Sequence, residues 1–244
     1  MIHSKKDYIR YALLIILICM SAFALYKLYK KPSMPNQAQV KILDKRKILL
    51  TSGGFNSDAI TNKFKDLAGD NYNQPVAIIT TASYDKEKDQ YAVLAYKQFV
   101  DMGFTDIDFV DIEVDPQKDF SKYGVIYVCG GNTFTLLKYA KESNLKSSIE
   151  KLLDRGGVYV GVSAGSIIAG PSIASAVVNG DENYIELKDL AGLNLTNTII
   201  YPHYNDNKGD EEIKKFEIEN NVILKKLSDV QAILIENGVE SMVE

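Results

Sequence analysis

A mostly parallel β-sheet with helices on both faces is the architecture this sequence predicts, and three observations predict it. Short apolar runs rich in β-branched residues alternate with helical stripes along residues 46–244. Most of the runs are apolar over nearly their whole length, as in strands that are covered on both faces. Several of them end in glycine-bearing turns that pass straight into a helix, the connection of an α/β sheet.

The elements follow in order. Lys47-Ile48-Leu49-Leu50-Thr51 is the first strand, a helix is expected near 56–68, and Val76-Ala77-Ile78-Ile79-Thr80 is the second strand. The next helix carries Tyr91, Leu94, Ala95, Phe99 and Met102, spacing that predicts one buried face made of core residues. Ile107 to Ile112 and Val125 to Val128 give two more strands, and Gly157 to Val162 a further short, buried one. Thr198 to Tyr201 is another. A helix over 208–226 should open on Asp210, Glu211 and Glu212 and close on Lys225 and Lys226, in line with the helix dipole. A strand over Ile233 to Glu236 meets a hairpin turn at Asn237-Gly238. There is no internal repeat.

The region before residue 46 reads differently. Residues 1–10 form a basic tail, and Tyr11 to Tyr26 is sixteen residues without a charge, flanked by Arg10 and Lys27. A span needs about 20 residues, though terminal Lys and Tyr side chains shorten that by snorkelling. The segment is expected to be a single-pass anchor. A cleaved signal peptide leading to secretion is the alternative, since a basic start and Ala22-Phe23-Ala24 also fit that pattern. Three Lys or Arg precede the segment and six follow within twenty residues, which leans the domain to the cytoplasmic side. Residues 27–45, with Pro32 and Pro35, read as a linker.

Composition sets limits. Hydrophobic residues at 46% and charged residues at 25% are values at which a chain can bury a core. The net charge of −4 is divided unevenly: residues 1–31 carry +5 and residues 32–244 carry −9, which disfavours nucleic acid as a partner of the main domain. Cys19 and Cys129 supply neither a disulfide framework nor a zinc site, and Cys129 sits in an expected core strand. No metal or cofactor is expected. The sequence does not specify an oligomeric state.

Three motifs carry the chemistry. Gly161-Val162-Ser163-Ala164-Gly165 lies between a strand and small aliphatic residues suited to a helix start, the pattern of a Gly-x-Ser-x-Gly nucleophile elbow. A serine capping a helix in a glycine-rich turn fits the same residues. A serine hydroxyl needs an adjacent base. Of the two histidines, His3 is in the basic tail, so a Ser–His pair can only be Ser163 with His203, which follows a strand in Pro202-His203-Tyr204. Strand exits are where open α/β sheets place ligand sites. The third motif, Gly130-Gly131-Asn132-Thr133, leaves a strand with Asn132 or Thr133 capping a helix. Backbone N–H groups at such a turn suit an oxyanion, and the turn also satisfies a simple need for positive φ. Neither it nor Gly53-Gly54 extends into a phosphate-binding loop.

In their order and spacing, Gly130 to Leu137, Gly161 to Gly165 with Gly170-Pro171 behind, and Pro202 to Tyr204 resemble the dipeptidase E and cyanophycinase group of serine peptidases. The resemblance covers roughly residues 46–244. It implies a flavodoxin-like, class I glutamine-amidotransferase-like fold and a small-peptide substrate. It further implies Ser163 as nucleophile, His203 as general base, and backbone oxyanion donors at Gly131 and Ala164. Gly130, Asn132 and Tyr204 of the same motifs would contact substrate. For the acid, Glu236 at a late strand end matches the glutamate of cyanophycinase-like members, and Asp181 is the alternative nearer the dipeptidase position.

One departure bears on specificity. Aspartyl dipeptidases usually follow the histidine motif with arginines, whereas Asn205 to Glu212 holds none, and the whole chain has Arg10, Arg46 and Arg155 alone. Bidentate recognition of an acidic side chain is therefore nearly absent, and no strong preference for N-terminal aspartate is expected. Lys208, Lys214 and Lys215 are the nearby cations. Two other functions fit the same residues: a non-peptide amidohydrolase or esterase on this triad, and a catalytically silent, membrane-tethered binding protein. An α/β-hydrolase is disfavoured because its acid falls between Ser and His, and only forty residues separate Ser163 from His203.

Overall fold

The central strands are apolar because the sheet is covered on both sides, and that burial decides where each element lies. The computed structural model describes residues 46–205 and 209–244. The expected hydrophobic segment at 11–26, the tail and the linker lie outside the described residues. Among the described residues no helix is long and apolar enough to cross a membrane.

In chain order the elements are β1 (Lys47–Thr51), α1 (Asp58–Ala68), β2 (Val76–Ile79), α2 (Gln90–Asp101), β3 (Ile107–Val110) and β4 (Val125–Val128). Then come α3 (Thr133–Glu142), α4 (Leu145–Asp154), β5 (Val158–Val162), α5 (Ala164–Ala169), α6 (Ser175–Val178) and β6 (Ile199–Tyr201). The chain continues through α7 (Asp210–Asn220), β7 (Leu224–Lys226), β8 (Ala232–Glu236) and β9 (Val239–Val243). Seven strands form one sheet in the order β3-β2-β4-β5-β1-β8-β9. The pairs among β1 to β5 are parallel, and β8 and β9 are antiparallel additions. The mostly parallel α/β architecture expected from the sequence is therefore present. A separate parallel pair, β6 with β7, stands apart from this sheet.

Each face of the sheet buries its own cluster. Phe134, Leu137, Ile149, Leu153 and Ile167 from α3, α4 and α5 pack with Ile48, Leu50, Ile126 and Tyr159 on one face. On the other, Phe64 and Phe99 from α1 and α2 join Phe55, Phe104 and Tyr127, with ring centroids 4.9–6.0 Å apart. Edge-to-face pairs such as Phe55–Phe99 are the favoured geometry for such rings. Side chains close the helix starts: Ser57 accepts the Ile60 N–H at α1, and Asn132 accepts the Thr135 N–H at α3.

Two expectations need correction. The helix expected over 208–226 stops at Asn220, because Asn221 takes a left-handed conformation (φ 50°) and the β-branched pair Val222-Ile223 then leads into β7. Lys225 and Lys226 are thus strand residues, and helix-dipole matching did not require them. On α2, Ala95 and Phe99 are buried as expected, but Tyr91 (67% exposed) and Leu94 (43%) are not. They line a cavity instead.

Candidate active site

Strand exits build the site. The elbow residues leave β5, and the backbone there is forced: Ser163 has φ 49° and ψ −109°, a conformation that costs a non-glycine residue on the order of 1–3 kcal/mol. Its neighbours hold it. The Ser163 N–H donates to the Thr51 carbonyl at 3.0 Å, and the Ser166 hydroxyl, fully buried, reaches the carbonyls of Thr51 and Gly161 at 2.7 and 2.8 Å. The buried Tyr159 hydroxyl donates to the Gly165 carbonyl at 2.7 Å. The two glycines of the motif are spatial necessities. A Cβ on Gly161 would lie 2.6 Å from the Gly165 carbonyl oxygen, and one on Gly165 would lie 2.3 Å from that of Val128.

His203 follows β6 and also has positive φ, at 58°. Its ring lies between two partners: Nε2 is 2.9 Å from Ser163 Oγ, and Nδ1 is 2.6 Å from Asp229 Oδ1. An ionised carboxylate only accepts, so Nδ1 carries the hydrogen and Nε2 is free to accept from the serine hydroxyl. The parallel pair β6 and β7 explains why these residues meet. Tyr201 is in register with Lys226, the Leu227 N–H donates to the Tyr201 carbonyl at 2.9 Å, and the Tyr204 N–H donates to the Leu227 carbonyl at 3.0 Å. Both strands leave this ladder at the same end, one into His203 and the other into Asp229.

Ser52, at the exit of β1 and fully buried, ties the pair together. Its hydroxyl accepts the His203 backbone N–H at 2.7 Å and donates to Asp229 Oδ1 at 2.8 Å. Burial acts to raise the Asp229 carboxyl, but the hydrogen bonds from Ser52 and His203 outweigh it and hold the group below the usual carboxylate value.

Neither carboxylate expected from the sequence reaches His203. Glu236 ends β8, but β8 runs antiparallel: Thr51 pairs with Ala232 and Lys47 with Glu236. The end of β8 is therefore at the opposite edge of the sheet, four residues and about 13 Å from the edge that carries Ser163. Asp181 instead accepts the Thr133 N–H at 2.9 Å, at the start of α3. No local sequence pattern marks Asp229, and none singles out Ser52 as its partner. A weak signal was present at Ser52, which follows a buried strand and precedes Gly53-Gly54.

The remaining expected residues are placed as follows. Gly130 lies against Ser163, where a Cβ would meet Ser163 Cβ at 3.1 Å. Gly131 has φ 130°, and a Cβ there would stand 2.3 Å from the Ala82 carbonyl oxygen, so only glycine fits. Ala164 is the first residue of α5, where a backbone N–H has no intrahelical acceptor. The Asn132 side chain is occupied as the α3 cap and donates to the Glu182 carbonyl at 2.8 Å. Tyr204 is held away from the cavity, its hydroxyl 3.1 Å from Asp210 and its ring beneath Lys226. Lys214 and Lys215 lie on α7 and do not line the cavity, and Lys208 is outside the described residues.

A cavity of about 340 Å³ opens beside the serine. Ser163, His203, Gly130, Gly131 and the sheet residue Tyr127 border it, together with Tyr91, Leu94 and Gln98 of α2. Among the described residues no group of three or more His, Cys, Asp or Glu side chains is placed to hold a metal ion. The Cys129 thiol is buried, and that burial pushes it up to about 12, so it is no nucleophile at neutral pH.

Fold and site together define a serine-type hydrolase built on an α/β sheet, and comparison with known proteins makes the class specific. The profile of peptidase family S51 matches residues 48–242; the chain belongs to that family and is a serine-type peptidase. It is 30% identical over 181 residues to an uncharacterized peptidase of Pasteurella multocida (strain Pm70), covering 71% of this chain and 87% of that one. It is 31% identical over 129 residues to peptidase E of Nostoc sp. (strain PCC 7120), covering 53% and 52%. The crystal structure of a candidate peptidase E protein from Listeria monocytogenes EGD-e superposes with a TM-score of 0.67 at 27% identity, over 81% of this chain and 97% of that one.

Proposed function

We propose that this chain hydrolyses small peptides through Ser163, His203 and Asp229. The observation that carries the proposal is the continuous line from Ser163 Oγ through both His203 ring nitrogens to Asp229, with contacts of 2.9 and 2.6 Å. Ser163 Oγ attacks the scissile carbonyl while its proton passes to Nε2. Asp229 keeps the ring in the required tautomer and stabilises the imidazolium as it forms. The backbone N–H groups of Gly131 and Ala164 receive the oxyanion, and one such donor typically contributes about 3–4 kcal/mol to transition-state stabilisation. The imidazolium then returns the proton to the leaving amine, and water releases the acyl group by the same steps in reverse.

Membrane tethering belongs to this proposal and rests on sequence alone: the uncharged run 11–26 between Arg10 and Lys27 anchors the domain on the cytoplasmic side. The test of activity is a panel of dipeptides, tripeptides and esters offered to the full chain. Peptide cleavage lost in Ser163→Ala is expected, and cleavage of esters alone would replace the peptidase reading with an esterase. For the tether, the full chain should sediment with membranes and resist high salt, whereas Ile15→Lys should release it.

A further inference from the structure

The Gly130-Gly131-Asn132 turn leans on the loop between β2 and α2, and a charged cluster away from Ser163 clamps that loop. The Asn132 N–H donates to the Ala82 carbonyl at 2.9 Å, and the same carbonyl oxygen fills the space where a Gly131 side chain would stand. Further along the loop, Lys86 has a left-handed backbone (φ 52°), which a non-glycine residue keeps only when its surroundings fix it. Its ammonium supplies the fixing. Lys86 Nζ lies 2.6 Å from Glu113 Oε2 and 3.4 Å from Asp111 Oδ2, and it donates to the Thr81 carbonyl at 3.1 Å. These acceptors are anchored in turn. The buried Thr81 hydroxyl donates to Asp111 Oδ1 at 2.8 Å, and Glu113 Oε1 accepts the Tyr139 hydroxyl at 2.6 Å. Tyr139 belongs to α3, the helix into which the glycine turn opens. Glu113 therefore ties the loop to α3, and the turn is gripped between the two. Only 17% of the Asp111 side chain and 31% of Lys86 are exposed, so solvent and salt screen this cluster less than a surface pair. Burial acts to lower the Lys86 ammonium, but the Glu113 hydrogen bond and the two carboxylate charges outweigh it and hold the group above its ordinary value.

We infer that Lys86 is a positioning residue for the reaction: by clamping the loop to Glu113 and Asp111 it holds the Ala82 carbonyl against the glycine turn and so aims the Gly131 N–H at the oxyanion. This rests on the peptidase reading of the same site. Lys86 does not line the cavity beside Ser163 and touches no reacting atom. Its influence falls on kcat, because a misaimed donor weakens the transition state more than the bound substrate.

Lys86→Met removes the charge and keeps the stem. In the full chain kcat should fall about tenfold with KM little changed, a fraction of the hundredfold or more that deleting an oxyanion donor costs. Lys86→Arg returns a cation to the same carboxylates and should recover most of the loss. Glu113→Gln breaks the contact from its other end, and serves alone should Lys86→Met not fold. The double variant should be little worse than either single one, since both changes remove one interaction. An aminoalkyl boronic acid reads the oxyanion position directly. Ser163 Oγ adds to boron, its proton passes to His203, and a boron-bound oxygen of the tetrahedral adduct takes the oxyanion's place. The boronate Ki should rise about tenfold in Lys86→Met, while calorimetric binding of Ala-Leu to Ser163→Ala should be the same with or without Lys86→Met. Equal weakening of boronate and dipeptide, an arginine variant as impaired as the methionine one, or an unchanged kcat would overturn the inference. Wild type that binds the boronate tenfold better than Lys86→Met yet cleaves no peptide would retire the peptidase and keep Lys86. Wild type that neither binds the boronate nor cleaves peptides would overturn both.

Discussion

Asp229 Oδ1 stands 2.6 Å from Nδ1 of His203 because β6 and β7 run parallel and release their chains at the same end. Asp229→Asn should lower kcat by about 10⁴-fold, since an amide favours the wrong imidazole tautomer. Glu236→Gln, at the far edge of the sheet, should leave kcat near wild type. Steady-state kinetics on the three proteins decides it, and a large loss in Glu236→Gln with little in Asp229→Asn would reverse the assignment.

The same pair sets an acid-side stability effect. The Asp229 carboxyl is held below its ordinary value of 3.8 by the Ser52 and His203 hydrogen bonds, against the opposing effect of burial. A group whose folded value lies below its unfolded one contributes stability above the unfolded value and loses it as pH falls through the folded one. Urea midpoints of wild type and Asp229→Asn should therefore converge as pH drops below 3.8. Because 57% of the side chain is exposed, the difference will be small. A gap that widens on acidification would contradict the assignment.

Ser163→Ala and His203→Ala should each reduce kcat/KM by about 10⁴-fold or more, and the double variant should be scarcely worse. Groups that act as one unit are strongly non-additive. Additive losses in the double variant would mean the two residues act separately.

Ser52→Ala removes a buried hydroxyl that serves both the His203 backbone and Asp229. Leaving such groups without their partner costs about 1–3 kcal/mol, so kcat should fall about ten- to a hundredfold with KM little changed. A change confined to KM would argue that Ser52 contacts substrate instead.

Asp181 holds the Thr133 N–H, one peptide group beyond the Gly130-Gly131-Asn132 turn. Asp181→Asn retains an acceptor oxygen and should be nearly silent. Asp181→Ala should lower kcat about tenfold by loosening the turn, in line with one lost charge-assisted hydrogen bond. Equal kinetics in the two variants would show that the turn does not need this contact.

Much of the fold was legible because strands buried on both faces leave an unmistakable apolar run. β1, β4 and β5 are of this kind, and the Asn237-Gly238 hairpin was readable from turn chemistry, both residues having positive φ. What local sequence cannot carry is strand direction. Glu236 and Asp229 flank the same strand, and only the antiparallel setting of β8 decides which of them faces Ser163. The Ser52–Asp229 contact spans 177 residues of chain, so no window of sequence contains it. The overlong helix before β7 failed for another reason: lysines at 225 and 226 fit a helix end as well as a strand, and Asn221 was the true stop.

The cavity's two walls differ in what they can tolerate. Tyr127 is 4% exposed and is packed into the Phe55–Phe99 aromatic cluster, so altering that wall disturbs the core and destabilises the fold. Tyr91 and Leu94 stand on the outer surface of α2, where most substitutions change stability by less than about 0.5 kcal/mol. Substrate preference in this lineage is thus free to drift on the helix side while the sheet side stays fixed, and a designer seeking a new specificity would vary positions 91 and 94 first.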